Sequence, residues 1–215
     1  MRARAALAAL SASLLAACGG SGASSFEPAL LAAAGQAGLD VPTWQACRET
    51  QAPADRVAQD VALAKALALP GTPVLFVNCT EFVGAQALAV LEGSVSSAST
   101  AAQGSGIAIA DYYDTVCPDV PVGDSPVRGA TTSWVTVVEF GDFECPYCGA
   151  EEPVLKQLLQ DHPEVRLVFK NFPLTSIHPH AQPAAIAAEC ALDQGKFWEM
   201  HDAIYRNQGT IFAGD

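Results

Sequence analysis

Basic side chains are scarce in this chain: 11 Lys and Arg stand against 23 Asp and Glu among 215 residues, a formal net charge of −12. Such a surface repels a phosphate backbone, which argues against nucleic acid as a partner. Charged residues of either sign make up only 16%, hydrophobic ones 50%, and the mean hydropathy is +0.23. That balance excludes disorder along the whole chain. Long apolar runs are lacking too. The run from Ala5 to Ala17 falls short of the roughly 18 residues that mark a membrane-spanning helix. No second Cys-x-x-Cys pair accompanies Cys145 and Cys148, so a four-cysteine zinc site lacks half its ligands. Cysteine itself is plentiful, with seven in a chain of one or two domains.

The N-terminus accounts for one cysteine. Arg2 and Arg4 precede the apolar run, which suits the core of a secretory signal peptide over residues 1–17. The run ends Leu15-Ala16-Ala17-Cys18-Gly19, which resembles the lipobox of bacterial lipoproteins. That resemblance implies acylation of Cys18 and membrane contact through lipid; an ordinary small-residue cleavage site is the alternative. Residues 18–25 then read as a flexible tether rich in Gly and Ser. Either reading puts the mature chain outside the cytoplasm, where disulfides persist. With the lipobox, the expected place is a bacterial membrane, on its periplasmic face or at the cell surface.

The rest divides at Ser94 to Gly106, a stretch dominated by Ser, Ala, Thr and Gly whose composition reads as linker. Before it, Glu27 to Leu69 reads as Ala- and Leu-rich helices broken near Pro42 and Pro53. Strands at Val74–Val77 and Glu81–Val83 and a closing helix over Ala85–Leu91 come next. After it, Val135–Phe140 is a strand, Glu152–Leu159 a helix, Val165–Lys170 a strand, and Ala181–Arg206 mostly helix. Strand, helix, strand in that order implies a crossover unit and a sheet covered by helices.

The chemistry lies at Cys145-Pro146-Tyr147-Cys148. Two cysteines separated by two residues, between a strand and a helix, can close a small disulfide and reopen it. Pro146 suits a first helical turn, where its missing N–H costs nothing. Cys145 then stands at the helix N-terminus, where unpaired N–H groups and the dipole favour thiolate, the attacking species in disulfide exchange. Zinc is the competing use of the pair, with His178 and His180 as completing ligands, but flanking prolines place both in a loop.

Residues 131–215, in Val138-Glu139-Phe140, the CPYC motif, Phe169-Lys170-Asn171-Phe172-Pro173-Leu174, Ala187-Ala188-Glu189-Cys190-Ala191 and Lys196-Phe197-Trp198, resemble the first part of DsbA-like thiol–disulfide oxidoreductases. Residues 26–92, through Gly38-Leu39-Asp40, Gly71-Thr72-Pro73, Val77-Asn78 and Gly84-Ala85, resemble the later part of the same family. The resemblance implies an α/β thioredoxin-like fold with an α-helical insert, its halves in reversed order and joined through residues 93–130. Two arrangements stay open: one circularly permuted domain, or pieces of two tandem domains.

The resemblance also implies roles for single residues. Pro73 is the candidate cis proline, which with Thr72 aligns a substrate strand. Cys145 exchanges with protein thiols or disulfides, and Cys148 resolves the mixed disulfide. Glu139 matches the buried acid that relays a proton to the second cysteine, a solvated strand charge being the alternative; Tyr147 either tunes reactivity or packs. Cys47 and Cys190, both in helices of the insert, could form a structural disulfide or remain free thiols. Cys79 and Cys117 give no spacing signal, and His162 and His201 read as solvated or core side chains.

The expected function is extracytoplasmic thiol–disulfide exchange on proteins, without a cofactor, with a membrane or thioredoxin-type redox partner. A redox-silent scaffold lipoprotein and a zinc-binding lipoprotein are the alternatives.

Overall fold

The computed structural model describes residues 25–213. The signal peptide, Cys18 and all of the tether except Ser25 lie outside the described residues. Three helices come first, α1 (Phe26–Gln36), α2 (Val41–Arg48) and α3 (Ala52–Ala66), then strands β1 (Val74–Val77) and β2 (Thr80–Val83). Next come α4 (Leu88–Gln103), α5 (Tyr112–Val116) and β3 (Val127–Gly129). The remainder is β4 (Thr136–Gly141), α6 (Pro146–Asp161), β5 (Arg166–Asn171), α7 (Ala181–Leu192), α8 (Phe197–Arg206) and α9 (Gln208–Ile211). The two prolines expected to break the N-terminal helices lie in the first turns of α2 and α3, where proline is tolerated. Asp40 caps α2, accepting the Thr43 N–H at 2.9 Å.

Five strands form one sheet in the order β2-β1-β4-β5-β3. Strand β1 runs antiparallel to β2 and β4, β4 runs parallel to β5, and β3 closes the far edge antiparallel to β5. Asn78, just past β1, sets the β1–β4 register: its N–H donates to Thr136 O, and its Oδ1 accepts from Thr136 N, both at 2.8 Å. Alternation sorts the side chains. Val74, Phe76, Val138 and Phe140 face a core with Tyr113 and Val120, while Leu75, Val77 and Val137 pack with Leu91, Val95, Leu155 and Leu158 of α4 and α6. Glu139 therefore shares the α6 face of the sheet.

Strands from residues 26–92 and 131–215 thus hydrogen-bond side by side, and the helices mix likewise. Phe26, Leu30 and Ala34 of α1 pack in one cluster with Ala184 and Ala188 of α7 and Met200 and Ile204 of α8. Trp44 donates its Nε1–H to Ala187 O at 2.8 Å inside that cluster. Arg56 bridges from α3 to the buried Glu189 carboxylate at 2.7 Å. At the surface, Ser25 Oγ donates to Ala213 O at 2.9 Å, so the two ends of the described chain touch.

The structure corrects the linker reading. Residues 94–103 belong to α4, which starts at Leu88 instead of Ala85. Leu91, Val95 and Ala102 are buried and Ala98 packs against the same core, an apolar stripe at helical spacing. Ser97 and Thr100 bond back to the carbonyls of Gly93 and Ser96, four residues earlier, so the hydroxyls that suggested a loop are satisfied within the helix. Strand β3, also in the supposed connecting stretch, has only three residues and no apolar alternation to reveal it.

Cys47 and Cys190 are joined across 143 residues, linking α2 to α7. Replacing both with Ala should lower unfolding stability by about 2–5 kcal/mol, the usual effect of removing a native cross-link, with the long loop favouring the upper end. Denaturant titration of the double variant checks this; an unchanged midpoint would show that the bond adds nothing.

Candidate active site

Strand β4 delivers the chain to the cysteines through a tight turn. Gly141 ends the strand where a Cβ would fall 2.5 Å from the Phe169 ring, so only glycine fits. Asp142 organises the turn between Gly141 and Cys145. Its Oδ1 accepts the Glu144 N–H and its Oδ2 the Leu174 N–H, both at 2.8 Å, and its carbonyl accepts the Cys145 N–H at 3.1 Å. His178 Nδ1 lies 2.8 Å from Asp142 Oδ2. Gln208 of α9 reaches over the turn and donates to the carbonyls of Phe143 and Cys145, both at 2.9 Å. Cys145 is the N-cap residue of α6, with Pro146 in the first turn.

The two thiols are reduced and electrostatically unequal. Cys145 is drawn down to about 5, chiefly by hydrogen bonding with Cys148 and then by Thr72 and the N–H groups of Cys148 and Tyr147, against the cost of burial. Its Sγ–H donates to Thr72 O at 3.4 Å. The Thr72 hydroxyl is buried without another partner, so it is free to serve the sulfur once it ionises. Cys148 lies inside α6, fully buried, and burial pushes its thiol well above the ordinary value, with the Cys145 contact and the Glu139 charge adding to the effect.

The Thr72–Pro73 peptide is cis and stands against the Cys145 sulfur through that Thr72 carbonyl. Residues 73 positions apart in sequence are thereby brought to one point. Glu139 is 2% exposed, and one of its oxygens has no hydrogen-bond partner. Burial raises its carboxyl well above the usual range, with the charges of Glu151, Glu152 and Cys145 pushing the same way. A neutral carboxyl of that kind can hold a proton beside Cys148. Tyr147 is 67% exposed at the rim, which removes packing as its role. Nearby, Ile177 is 68% exposed, on a shallow cleft shared with Glu144, His178 and Phe212.

Among the described residues, the donors of the zinc alternative are not gathered at one point. His178 is held by Asp142, and His180 stacks on Phe26 with ring centroids 4.2 Å apart. Of the remaining histidines, His201 is buried among Phe143, Phe169 and Tyr205 as a core side chain. His201, Glu152 and Asp202 come together, but Lys156 and Arg128 already ion-pair with these carboxylates.

Sequence reasoning missed Asp142, Gln208 and Glu151, and it weighed His178 only as a metal ligand. It also missed the second disulfide, Cys79–Cys117, which ties the β1–β2 turn to the end of α5. An available signal was arithmetic: with Cys18 and the CPYC pair set aside, four cysteines remain, an even number.

Known proteins match the chain in two separate parts. The family model for a DSBA-like thioredoxin domain matches residues 1–96, and one described as thioredoxin matches residues 122–215. Among curated relatives, a Na(+)/H(+) antiporter NhaA 1 of Salinispora arenicola is 52% identical over 102 residues, 47% of this chain and 16% of the antiporter. The NhaA 1 antiporter of Mycolicibacterium gilvum is 36% identical over 135 residues, 56% of this chain and 21% of the antiporter. The NhaA antiporter of Herminiimonas arsenicoxydans is 34% identical over 115 residues, 52% and 18% of the respective chains. This chain therefore spans about a fifth of the length of these relatives. No solved structure matches.

Alkylation of the reduced protein checks the inequality of the thiols. One cysteine, Cys145, should react with a half-maximal rate near pH 5, because its thiolate is populated above its lowered pKa. Cys148 should stay unmodified across neutral pH. Equal reactivity of the two, or onset only near pH 9, the ordinary thiol value, would contradict the geometry.

Proposed function

Because the chain belongs to the DsbA-like thioredoxin superfamily, one part matching a DSBA-like thioredoxin domain and the other a thioredoxin model, we propose that it exchanges disulfides with extracytoplasmic proteins through its CPYC pair. The observation that carries this is the Cys145 sulfur at the N-terminus of α6, 3.4 Å from the carbonyl of the residue before cis Pro73. Stabilised as a thiolate, Cys145 is a good leaving group, so the reduced pair is favoured and the disulfide form is the oxidant.

In that direction a substrate thiolate attacks Cys145 Sγ of the Cys145–Cys148 disulfide. The new bond joins substrate and Cys145, and Cys148 leaves with the electron pair. Glu139 supplies the proton that Cys148 takes up in its buried site. A second substrate thiolate then attacks the substrate sulfur of the mixed disulfide and releases Cys145 as thiolate. Two electrons have passed from substrate to enzyme, and a membrane or thioredoxin-type redox partner removes them. Thr72 and Pro73 align the incoming strand beside Cys145, and Pro146 and Tyr147 form the rim it crosses.

The same reading treats residues 26–92 and 131–215 as one permuted domain, supported by the shared sheet. It takes Cys18 as the lipid attachment point on a bacterial membrane. Antiport is a property of the named relatives, most of whose length lies outside the match, and among the described residues no helix is long and apolar enough to cross a membrane.

Replacing Cys148 with Ala should trap mixed disulfides between Cys145 and substrate proteins, seen as reducible adducts on non-reducing gels, whereas Cys145→Ala should abolish them. Adducts carried by Cys148 alone would reverse the roles. A Cys18→Ser protein should move from membrane to soluble fractions with its exchange activity intact, since stable anchoring depends on acyl chains. Undiminished membrane attachment would remove the lipid from the account.

A further inference from the structure

One buried carboxylate on the cysteine helix has no part in the exchange steps. Glu151 stands three residues beyond Cys148 on α6, and the fold leaves it 0% exposed. Its Oε2 accepts the Gln86 N–H at 2.6 Å, while Oε1 has no partner. A single short bond to a main-chain N–H is slender compensation for burying a carboxylate, so the value of the contact lies in what Gln86 belongs to.

Gln86 lies between β2 and α4, in the turn that leaves the cis-proline hairpin. Its own side chain donates to Val83 O and Gly84 O at 3.1 and 2.9 Å, stiffening that turn. The Gly84 N–H in turn donates to Pro73 O at 2.8 Å. A closed circuit results: Cys145 touches Thr72, Pro73 is bonded to Gly84, Gln86 is bonded to Glu151, and Glu151 is on the helix that begins at Cys145. Within the circuit, Glu151 is the side chain that ties α6 to this turn.

We propose that Glu151 is a positioning residue that fixes the gap between the two walls receiving a substrate strand, the CPYC turn and the Thr72–Pro73 segment. The inference rests on the thiol-exchange reading and narrows its substrates. Extended polypeptide segments carrying a cysteine, which pair with both walls, depend on the latch; a small thiol such as glutathione, which needs only the sulfur, depends on it far less.

The latch is sensitive to pH. Burial raises the Glu151 carboxyl to about 7, with the Gln86 N–H pulling the other way. The ionisable groups around it are Glu139 from β4, which it repels, and Glu152 and the cysteines from α6; β1 has none, and α4 carries a single one along its length, Glu92. As pH falls through neutrality the carboxylate takes a proton, the charge-assisted bond to Gln86 weakens, and the turn loosens. When the reduced enzyme attacks a disulfide, the reverse of the exchange above, Cys145 is the nucleophile and is already ionised in this range, so it adds no inflection of its own.

The test drives the exchange in its reverse direction, fully reduced enzyme against excess disulfide in a single turnover so that no further reductant is needed, and reads the pH profile of the half-saturating concentration (KM) for a cysteine-containing peptide disulfide and for glutathione disulfide, in the full chain and in the variants Glu151→Gln and Glu151→Leu. In the wild type, KM for the peptide should rise as pH falls from about 8 to about 6, and KM for glutathione should not follow it. Glu151→Gln, which keeps an acceptor but not the charge, should flatten the peptide profile. Glu151→Leu should lower the peptide-to-glutathione ratio of kcat/KM about tenfold, the effect of losing one charge-assisted hydrogen bond. If Glu151→Leu does not fold, the flattening in Glu151→Gln decides. A peptide KM that ignores pH in the wild type, or follows the same profile in Glu151→Gln, overturns the proposal. Wild-type protein that exchanges with neither disulfide overturns the thiol-exchange reading itself, and the latch with it.

Discussion

The pairing of β1 with β4 is the contact on which the site depends. Val74 lies opposite Phe140 and Val77 opposite Val137, an antiparallel register between segments about 60 residues apart. A slip of one residue would turn every side chain of one strand to the other face. Glu139 would leave the α6 side, and the Thr72–Pro73 peptide would move along the sheet away from Cys145. Asn78 guards against this by bonding Thr136 through both main-chain and side-chain groups. The register is set by polar bonds at one end of the strand and by apolar alternation along it, and the chemistry is placed at the other end.

From that placement the electrical asymmetry of the cysteines arises. Both belong to one short turn, yet one sulfur lies at the open end of a helix beside Thr72, and the other is closed in by the sheet and Glu139. The difference comes from position alone. Asp142 and Gln208 hold the preceding turn from opposite sides, the first from within the loop and the second from α9. The chain that anchors Gln208 is near its own end in sequence, and it packs on α1, the first described helix. The helical insert is thus completed by the first and last helices described, and its integrity reaches Cys145 through a single amide.

Much of the fold and site was legible beforehand, for identifiable reasons. The run Val135–Phe140 announced a buried strand, and the CPYC residues announced a helix start, because local sequence decides both. Resemblance supplied the candidacy of Pro73, whose neighbour across the sheet no local pattern could name. The helix α4 was concealed by its hydroxyls: Ser97 and Thr100 look like loop residues until their bonds to the preceding turn are seen. His178 stood out by type but its role went unseen, since only the folded loop shows that Asp142 faces it. Glu151 fell just outside the helix read over Glu152–Leu159 and drew no notice. Its burial depends on Gln86, which lies 65 residues away in the other matching part of the chain.

The cysteine pairs have an order that bears on how the chain is made. Cys47 joins Cys190, Cys79 joins Cys117 inside that span, and Cys145 and Cys148 sit between Cys117 and Cys190. A chain oxidised as it emerges, each thiol taking the next to appear, would join Cys47 to Cys79 and leave Cys117 to Cys145. Both bonds are wrong, and the second consumes the reactive sulfur. The six described cysteines, if fully paired, allow 15 pairings, and the two native bonds cannot be reached by pairing in order of appearance. Cys47 has to remain unpaired, or be released again, while four other cysteines pass. The bond that ties α2 to α7 cannot close until Cys190 has been made, after every other cysteine of the set.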